Sequence, residues 1–178
     1  MIQSMFSVPI YHNKIDSWEK IKDNILSVYS NIESDMQLLD NNPVNTNYHI
    51  DNKKIIENIS NILKNEIEKF LINIGFGGCT IKTGWFEQSF FGNYHHPHNH
   101  GSTGYSAVCF VKYDIEDHTP TYFISPFNNF VTGDDLNYFP NEIEEGSIIV
   151  FPSSILHYTI PNKSNKERLV LSFNMDVF

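Results

Sequence analysis

The sequence predicts an α+β domain, mainly β, in which two N-terminal helices brace an antiparallel sandwich or barrel. Apolar residues recur at helical intervals from Trp18 to Phe70. The cluster Gly75-Phe76-Gly77-Gly78 closes that half. From Cys79 onward, short β-rich runs alternate with turn residues. Helices first and strands afterwards is an α+β order. A chain of 178 residues suffices for one domain, 1–178, and is short for two.

Taken in order, Met5-Phe6-Ser7-Val8-Pro9-Ile10-Tyr11 reads as an edge strand, because proline suits an edge better than a centre. Asp16, with Glu19 three residues on, has capping-box spacing and starts a first helix. Trp18, Ile21, Ile25, Val28, Tyr29 and Ile32 form its apolar face. Residues 41–52, rich in Asn and holding Pro43, read as a loop. A second helix runs from Lys53 to Phe70 on Ile55, Ile59, Ile62, Leu63 and Ile67. Strands follow at about 79–90, 105–113, 121–125, 147–151, 156–160 and 168–176. Pro126 to Asn141 reads as a loop that can form a lid.

A net charge of −9 argues against a general nucleic-acid surface, which needs clustered Lys and Arg. No apolar run reaches the ~18 residues of a membrane span. The start of the chain lacks the basic and apolar stretches of a signal peptide. Two cysteines, Cys79 and Cys109, make a disulfide framework unexpected and fit a reducing cytoplasm.

The segment Tyr94-His95-His96-Pro97-His98-Asn99-His100 holds four of the eight histidines. Residues two apart on an extended strand project to one face, so His98 and His100 can converge on one ion. His157, after Phe151-Pro152-Ser153-Ser154, offers a third imidazole from another strand. His96 and His98 share the same spacing, so spacing alone leaves His96 open as a ligand or a supporting group. Imidazole donors suit iron, zinc, copper or nickel. The usual non-haem iron site takes two histidines and a carboxylate, and here His100 stands where that carboxylate would be. Arg168 opens the last strand, whose period of two puts Arg168, Val170, Ser172 and Asn174 on one face. An inward Arg needs an anionic partner, and a dicarboxylate bound to the metal at its other end supplies one. Together these features point to a mononuclear non-haem iron enzyme. Trp85, Tyr94, Tyr105 and Tyr158 are aromatic candidates for the pocket wall; His12, His49 and His118 are isolated and read as surface or structural.

His98-Asn99-His100, then Ser106-Ala107-Val108-Cys109-Phe110, then Gly146 to Asn174 resemble the 2-oxoglutarate/Fe(II)-dependent oxygenase superfamily. The similarity is to a branch found in marine bacteria and their phages, and it spans residues 85–178 best. It implies a double-stranded β-helix (jelly roll) and Fe(II) held by His98, His100 and His157. It also implies 2-oxoglutarate held at its C5 carboxylate by Arg168, with Ser172 and Asn174 on the same face as further co-substrate-binding residues. Val170 departs from the branch, which often has Ser two residues after the Arg. The implied reaction uses O₂ to hydroxylate a small metabolite or a protein side chain in the cytoplasm of a bacterium or a phage host. Two other readings share the metal site: a cupin-like three-His iron dioxygenase without 2-oxoglutarate, and a jelly-roll binding module with a structural metal. Homodimerisation through the helices or edge strands fits the pattern, though no residue specifies it.

Overall fold

The computed structural model describes residues 7–39, 42–50 and 53–178. It is mainly β, with two antiparallel sheets and helices on one outer face. In chain order the elements are β1 (Tyr11–Lys14), α1 (Trp18–Ser30), a 3₁₀ turn (Glu33–Asp35), β2 (Gln37–Leu39), β3 (Asn42–Thr46), α2 (Lys53–Ile62) and α3 (Lys64–Ile74). After them come β4 (Cys79–Ser89), β5 (His95–His98), β6 (Tyr105–Lys112), β7 (Tyr122–Ile124), β8 (Asn137–Tyr138), β9 (Ser147–Pro152), β10 (His157–Thr159) and β11 (Arg168–Val177). The large sheet has the order β1-β9-β6-β11-β4-β3-β2, and the small one β5-β10-β7-β8.

Strict alternation along the central strands divides the interior in two. Ala107, Cys109 and Val111 of β6, Ile148 and Val150 of β9, and Leu169, Leu171 and Phe173 of β11 face the helices. They pack there against Ile25, Ile55, Ile59, Leu63 and Phe70. The intervening residues Val108, Phe110, Ile149, Phe151 and Val170 point the other way, into a second cluster with Phe123 of the small sheet. A period of two with both faces buried explains why these strands read as continuous apolar runs.

Several elements differ from the sequence reading. Strand β1 is an edge strand, but it begins at Tyr11, after Pro9; Met5 and Phe6 lie outside the described residues. Asp16 does not cap α1: the cap position is Ser17, left-handed at φ 54°, while Asp16 receives Lys69 Nζ at 2.7 Å. The expected second helix is two, broken at Leu63. Leu63 stays in the core, yet beyond it α3 turns toward the edge strand. There Glu66, 3% exposed, accepts from Tyr11 Oη and Asn13 Nδ2, both at 2.6 Å. The Asn-rich stretch is no simple loop: β3 within it pairs with β2 and docks on β4. Buried Asn47 explains part of this, since its Oδ1 accepts Phe86 N–H at 2.7 Å. The presumed lid contains β8, which pairs with β7 at the edge of the small sheet opposite β5. No helix among the described residues is long and apolar enough to cross a membrane.

Gly146 shows how tightly α1 docks. Its φ is +83°, and a Cβ there would lie 2.6 Å from Trp18 Cγ. Gly146→Ala should therefore combine left-handed strain with overpacking and destabilise by about 1–3 kcal/mol. Urea denaturation checks this; an unchanged midpoint would show that α1 shifts without cost.

Candidate metal centre

His157 opens β10 directly opposite His98, the last residue of β5. Strand β5 is the edge of its sheet, which is where Pro97 is tolerated. His100 is not on that strand. The chain leaves β5 after His98, and the His100 amide donates to Ser153 O at 2.9 Å, tying it to the turn before His157. The ring of His100 lies 5.2 Å from that of Trp85. Convergence of the His-x-His pair therefore comes from the Ser153 anchor and the Trp85 wall as well as from strand geometry.

One donor nitrogen from each of His98, His100 and His157 falls within 4.8 Å of the others. The Nε2 atoms of His100 and His157 are 3.2 Å apart. Adjacent ligands on a metal with ~2.1 Å bonds stand about 3 Å apart, so the spacing suits one ion between them. Backbone carbonyls orient two of the rings: Nδ1 of His98 lies 2.7 Å from His96 O, and Nδ1 of His157 lies 3.0 Å from Ile155 O. Those bonds place the proton on Nδ1 and leave Nε2 free to ligate. Burial, then neighbouring imidazole charge, lowers the pKa of all three, to about 4 for His100 and about 3 for His157. The rings are neutral at pH 7, the form that binds metal. His96 is exposed and packs on Tyr94 at 4.9 Å, so neither residue joins the trio.

The other end of the same cavity is Arg168, 2% exposed on β11. Its Nε donates to Thr119 O at 3.0 Å, its guanidinium lies over Phe110, and no carboxylate among the described residues forms an ion pair with it. The nearby Tyr113 hydroxyl is buried without a hydrogen-bond partner. Ser172, Val170, Thr121 and Tyr158 line the space between, which holds only about 20 Å³ of free volume. Asn174 sits at the histidine end instead: its Oδ1 accepts from Ser106 Oγ at 2.8 Å and its Nδ2 approaches His100 Nδ1 at 3.5 Å. Tyr105 faces away from the cavity, onto Phe70 at 5.1 Å, because the alternation of β6 sends it to the helices.

Glu87 and His49 gain a place that sequence reasoning did not give them, and His95 takes a supporting one beside the trio. Glu87 is buried in the cavity wall, with Oε1 receiving Trp85 Nε1–H at 2.9 Å and Oε2 lying 3.4 Å from His95 Nδ1. Burial opposes its ionisation, but His95, Trp85 and His98 together hold its carboxyl well below the usual range. His95 stacks on His98 at 4.0 Å. His49, read as isolated, lines an outer cleft of about 280 Å³ with Thr46, Tyr48, Trp85 and Asn99, open to His98 and His100. No spacing rule links a lone Glu to a distant histidine tract; the polar face of β4 was the one available signal. His118 is structural: its ring accepts Asp114 N–H at 2.9 Å and meets Lys166 O at 3.1 Å.

A family profile described as "Putative 2OG-Fe(II) oxygenase" matches residues 83–174. No curated protein matches the chain. Among solved structures, a Pseudomonas putida prolyl-4-hydroxylase aligns with TM-score 0.60 at 12% identity, over 94% of this chain and 92% of its own. A viral collagen prolyl hydroxylase from Paramecium bursaria Chlorella virus-1 gives TM-score 0.56 at 14% identity, over 93% and 95%. SnoK, an alpha-ketoglutarate-dependent carbocyclase of nogalamycin biosynthesis, gives TM-score 0.71 at 10% identity, over 94% and 80%. These likenesses show a shared fold; the profile, which covers half the chain, shows the family. The chain belongs to the 2OG-Fe(II) oxygenases. It is an oxidoreductase that depends on Fe(II) and 2-oxoglutarate, which sets aside the cupin-like and binding-module readings.

Unfolding exposes His100 and His157, whose pKa values return to 6.5 from about 4 and about 3. The unfolded chain then binds more protons than the folded one between those limits. Stability of the metal-free protein should fall as pH drops from about 6.5 toward 4. Melting scans in chelator should show a loss of several degrees over that window, with a shallower slope in His157→Asn. Equal slopes would contradict neutral burial of this ring.

Proposed function

We propose that His98, His100 and His157 hold Fe(II), and that Arg168 takes the far carboxylate of 2-oxoglutarate, with Ser172 beside the bound chain. The observation that carries this is a single cavity with three convergent imidazoles at one end and, at the other, a buried guanidinium that forms no ion pair with a carboxylate among the described residues. Transferring a charged guanidinium out of water is costly unless it is paired, so an anionic ligand fits that end. The orphaned Tyr113 hydroxyl adds a donor in the same neighbourhood. The free space of about 20 Å³ means that the dicarboxylate displaces side chains as it enters. Bound iron and 2-oxoglutarate supply the oxidising chemistry, coupling decarboxylation of the 2-oxo acid to oxidation of a substrate C–H bond by O₂. This chain's own residues orient the pair and keep bulk water from Arg168.

The substrate in this reading is a small metabolite or a protein side chain, hydroxylated at the outer cleft. Tyr48 and Trp85, edge to face at 4.9 Å, offer it an aromatic wall. The cleft suits one compact group rather than a large rigid ligand. The two sheets form a double-stranded β-helix, and residues 1–178 act as a single domain. Asn174 packs beside His100, bonded to Ser106 and Thr83, and lies at the histidine end of the cavity, away from the co-substrate's far carboxylate.

Anaerobic titration of the Fe(II)-loaded protein with 2-oxoglutarate should produce a visible metal-to-ligand charge-transfer band. Arg168→Ala should weaken 2-oxoglutarate affinity at least tenfold with the band position kept, since a charge-assisted pair contributes about 1.5–3 kcal/mol. His157→Ala should abolish iron binding. Unchanged 2-oxoglutarate affinity in Arg168→Ala would overturn the Arg168 assignment, and iron retained with no band in the wild type would overturn chelation of 2-oxoglutarate at this metal.

A further inference from the structure

The histidine trio leaves an electrostatic question. Three neutral imidazoles bring no charge to a divalent cation, and the position that would carry a carboxylate is His100. A carboxylate is nevertheless present, on a different strand. Glu87 of β4 lies opposite Val170 of β11 and Thr46 of β3, and it lines both the inner cavity and the outer cleft beside His98 and His100.

Resting on the iron-site reading above, we propose that Glu87 is the carboxylate of this centre, held just outside the ligand shell. Its geometry connects it to two of the three imidazoles through one ring each. Oε2 faces His95, whose ring stacks on His98 at 4.0 Å and 27°. Oε1 accepts from Trp85, whose indole lies against His100 at 5.2 Å. Both oxygens are thus engaged. Among the described residues, the donor atoms that gather within 4.8 Å are those of the three histidines alone, so Glu87 acts by charge and by orientation and not as a ligand. The depressed pKa of this 8% exposed carboxyl agrees with a fixed negative charge. A buried carboxylate is tolerated when a cation offsets it, and a divalent ion among the adjacent imidazoles does so.

The charge has a sign that separates this role from ordinary packing. A carboxylate here attracts a divalent metal and repels a dicarboxylate bound next to it. Its field also reaches Arg168. Removing the charge must weaken metal binding and strengthen 2-oxoglutarate binding, whereas a loosened fold weakens both.

The test uses Glu87→Gln, which keeps the acceptor for Trp85, and Glu87→Asp, which keeps the charge. Calorimetric titration with Co(II), a probe for the divalent site, is followed by 2-oxoglutarate titration of the Co(II)-loaded protein. Glu87→Gln should lose about 10–100-fold in Co(II) affinity, as for other groups that support metal ligands, and gain several-fold in 2-oxoglutarate affinity. Glu87→Asp should stay closer to wild type in both, and the Co(II) absorption bands should keep their positions. Equal Co(II) affinity in wild type and Glu87→Gln overturns the inference alone. So does a joint loss of both affinities, or a band shift showing Glu87 inside the ligand shell. No Co(II) binding by wild type overturns the metal-site reading itself, and this inference with it.

Discussion

The two-residue alternation of β11 and its neighbours β4 and β6 is the constraint on which the rest depends. On one face Leu169, Leu171 and Phe173 join the helices in a dry core. On the other, Arg168 and Ser172 enter the cavity, with Val170 between them. A slip of one residue would drive the guanidinium into the apolar layer and the leucines into the site. The cost of either misplacement, several kcal/mol for an unpaired buried charge, pins the register. The helices matter to function for this reason: by covering one face they free the other for polar groups.

The small sheet solves a different problem, which is to bring imidazoles together. His98 and His157 meet because β5 and β10 pair antiparallel with these two residues directly opposite each other. His100 arrives from outside the sheet, fixed by its amide bond to Ser153. Phe151 and Phe123 close one side of His157, at ring distances of 4.8 and 6.2 Å. That apolar wall lowers the proton affinity of the ring, so the burial that stabilises the sandwich also keeps a ligand unprotonated. Glu87, in the wall of the same cavity, opposes that shift with its negative charge.

Much of this was readable in one dimension. The stripe from Trp18 to Tyr29, the long strands β4, β6, β9 and β11, and the histidine and arginine pattern all follow from periodicity and local chemistry. The break at Leu63 did not, because the apolar stripe runs straight through it; beyond the break, Glu66 is tied to β1, a contact that no local pattern announces. Strand β3 was hidden by an Asn-rich, Pro-containing composition that favours loops. Docking on β4 through backbone bonds overrode that local preference. Spacing alone left His96 open beside His100, since both stand two residues from His98; the family resemblance pointed to His100, the residue that gathers with His98 and His157.

The sequence by itself determined which residues share a face on the central strands, because a period of two fixes that partition, and in β11 the polar residues Arg168 and Ser172 mark the side turned from the helices. It also determined the supply of ligands: three suitable histidines and one arginine in a family-like order. Only the tertiary structure decided which of them meet. Convergence within 4.8 Å depends on strand pairing and on a turn carbonyl at Ser153, contacts between segments more than fifty residues apart. The same holds for Glu87, whose importance comes from the walls that surround it and from no motif of its own.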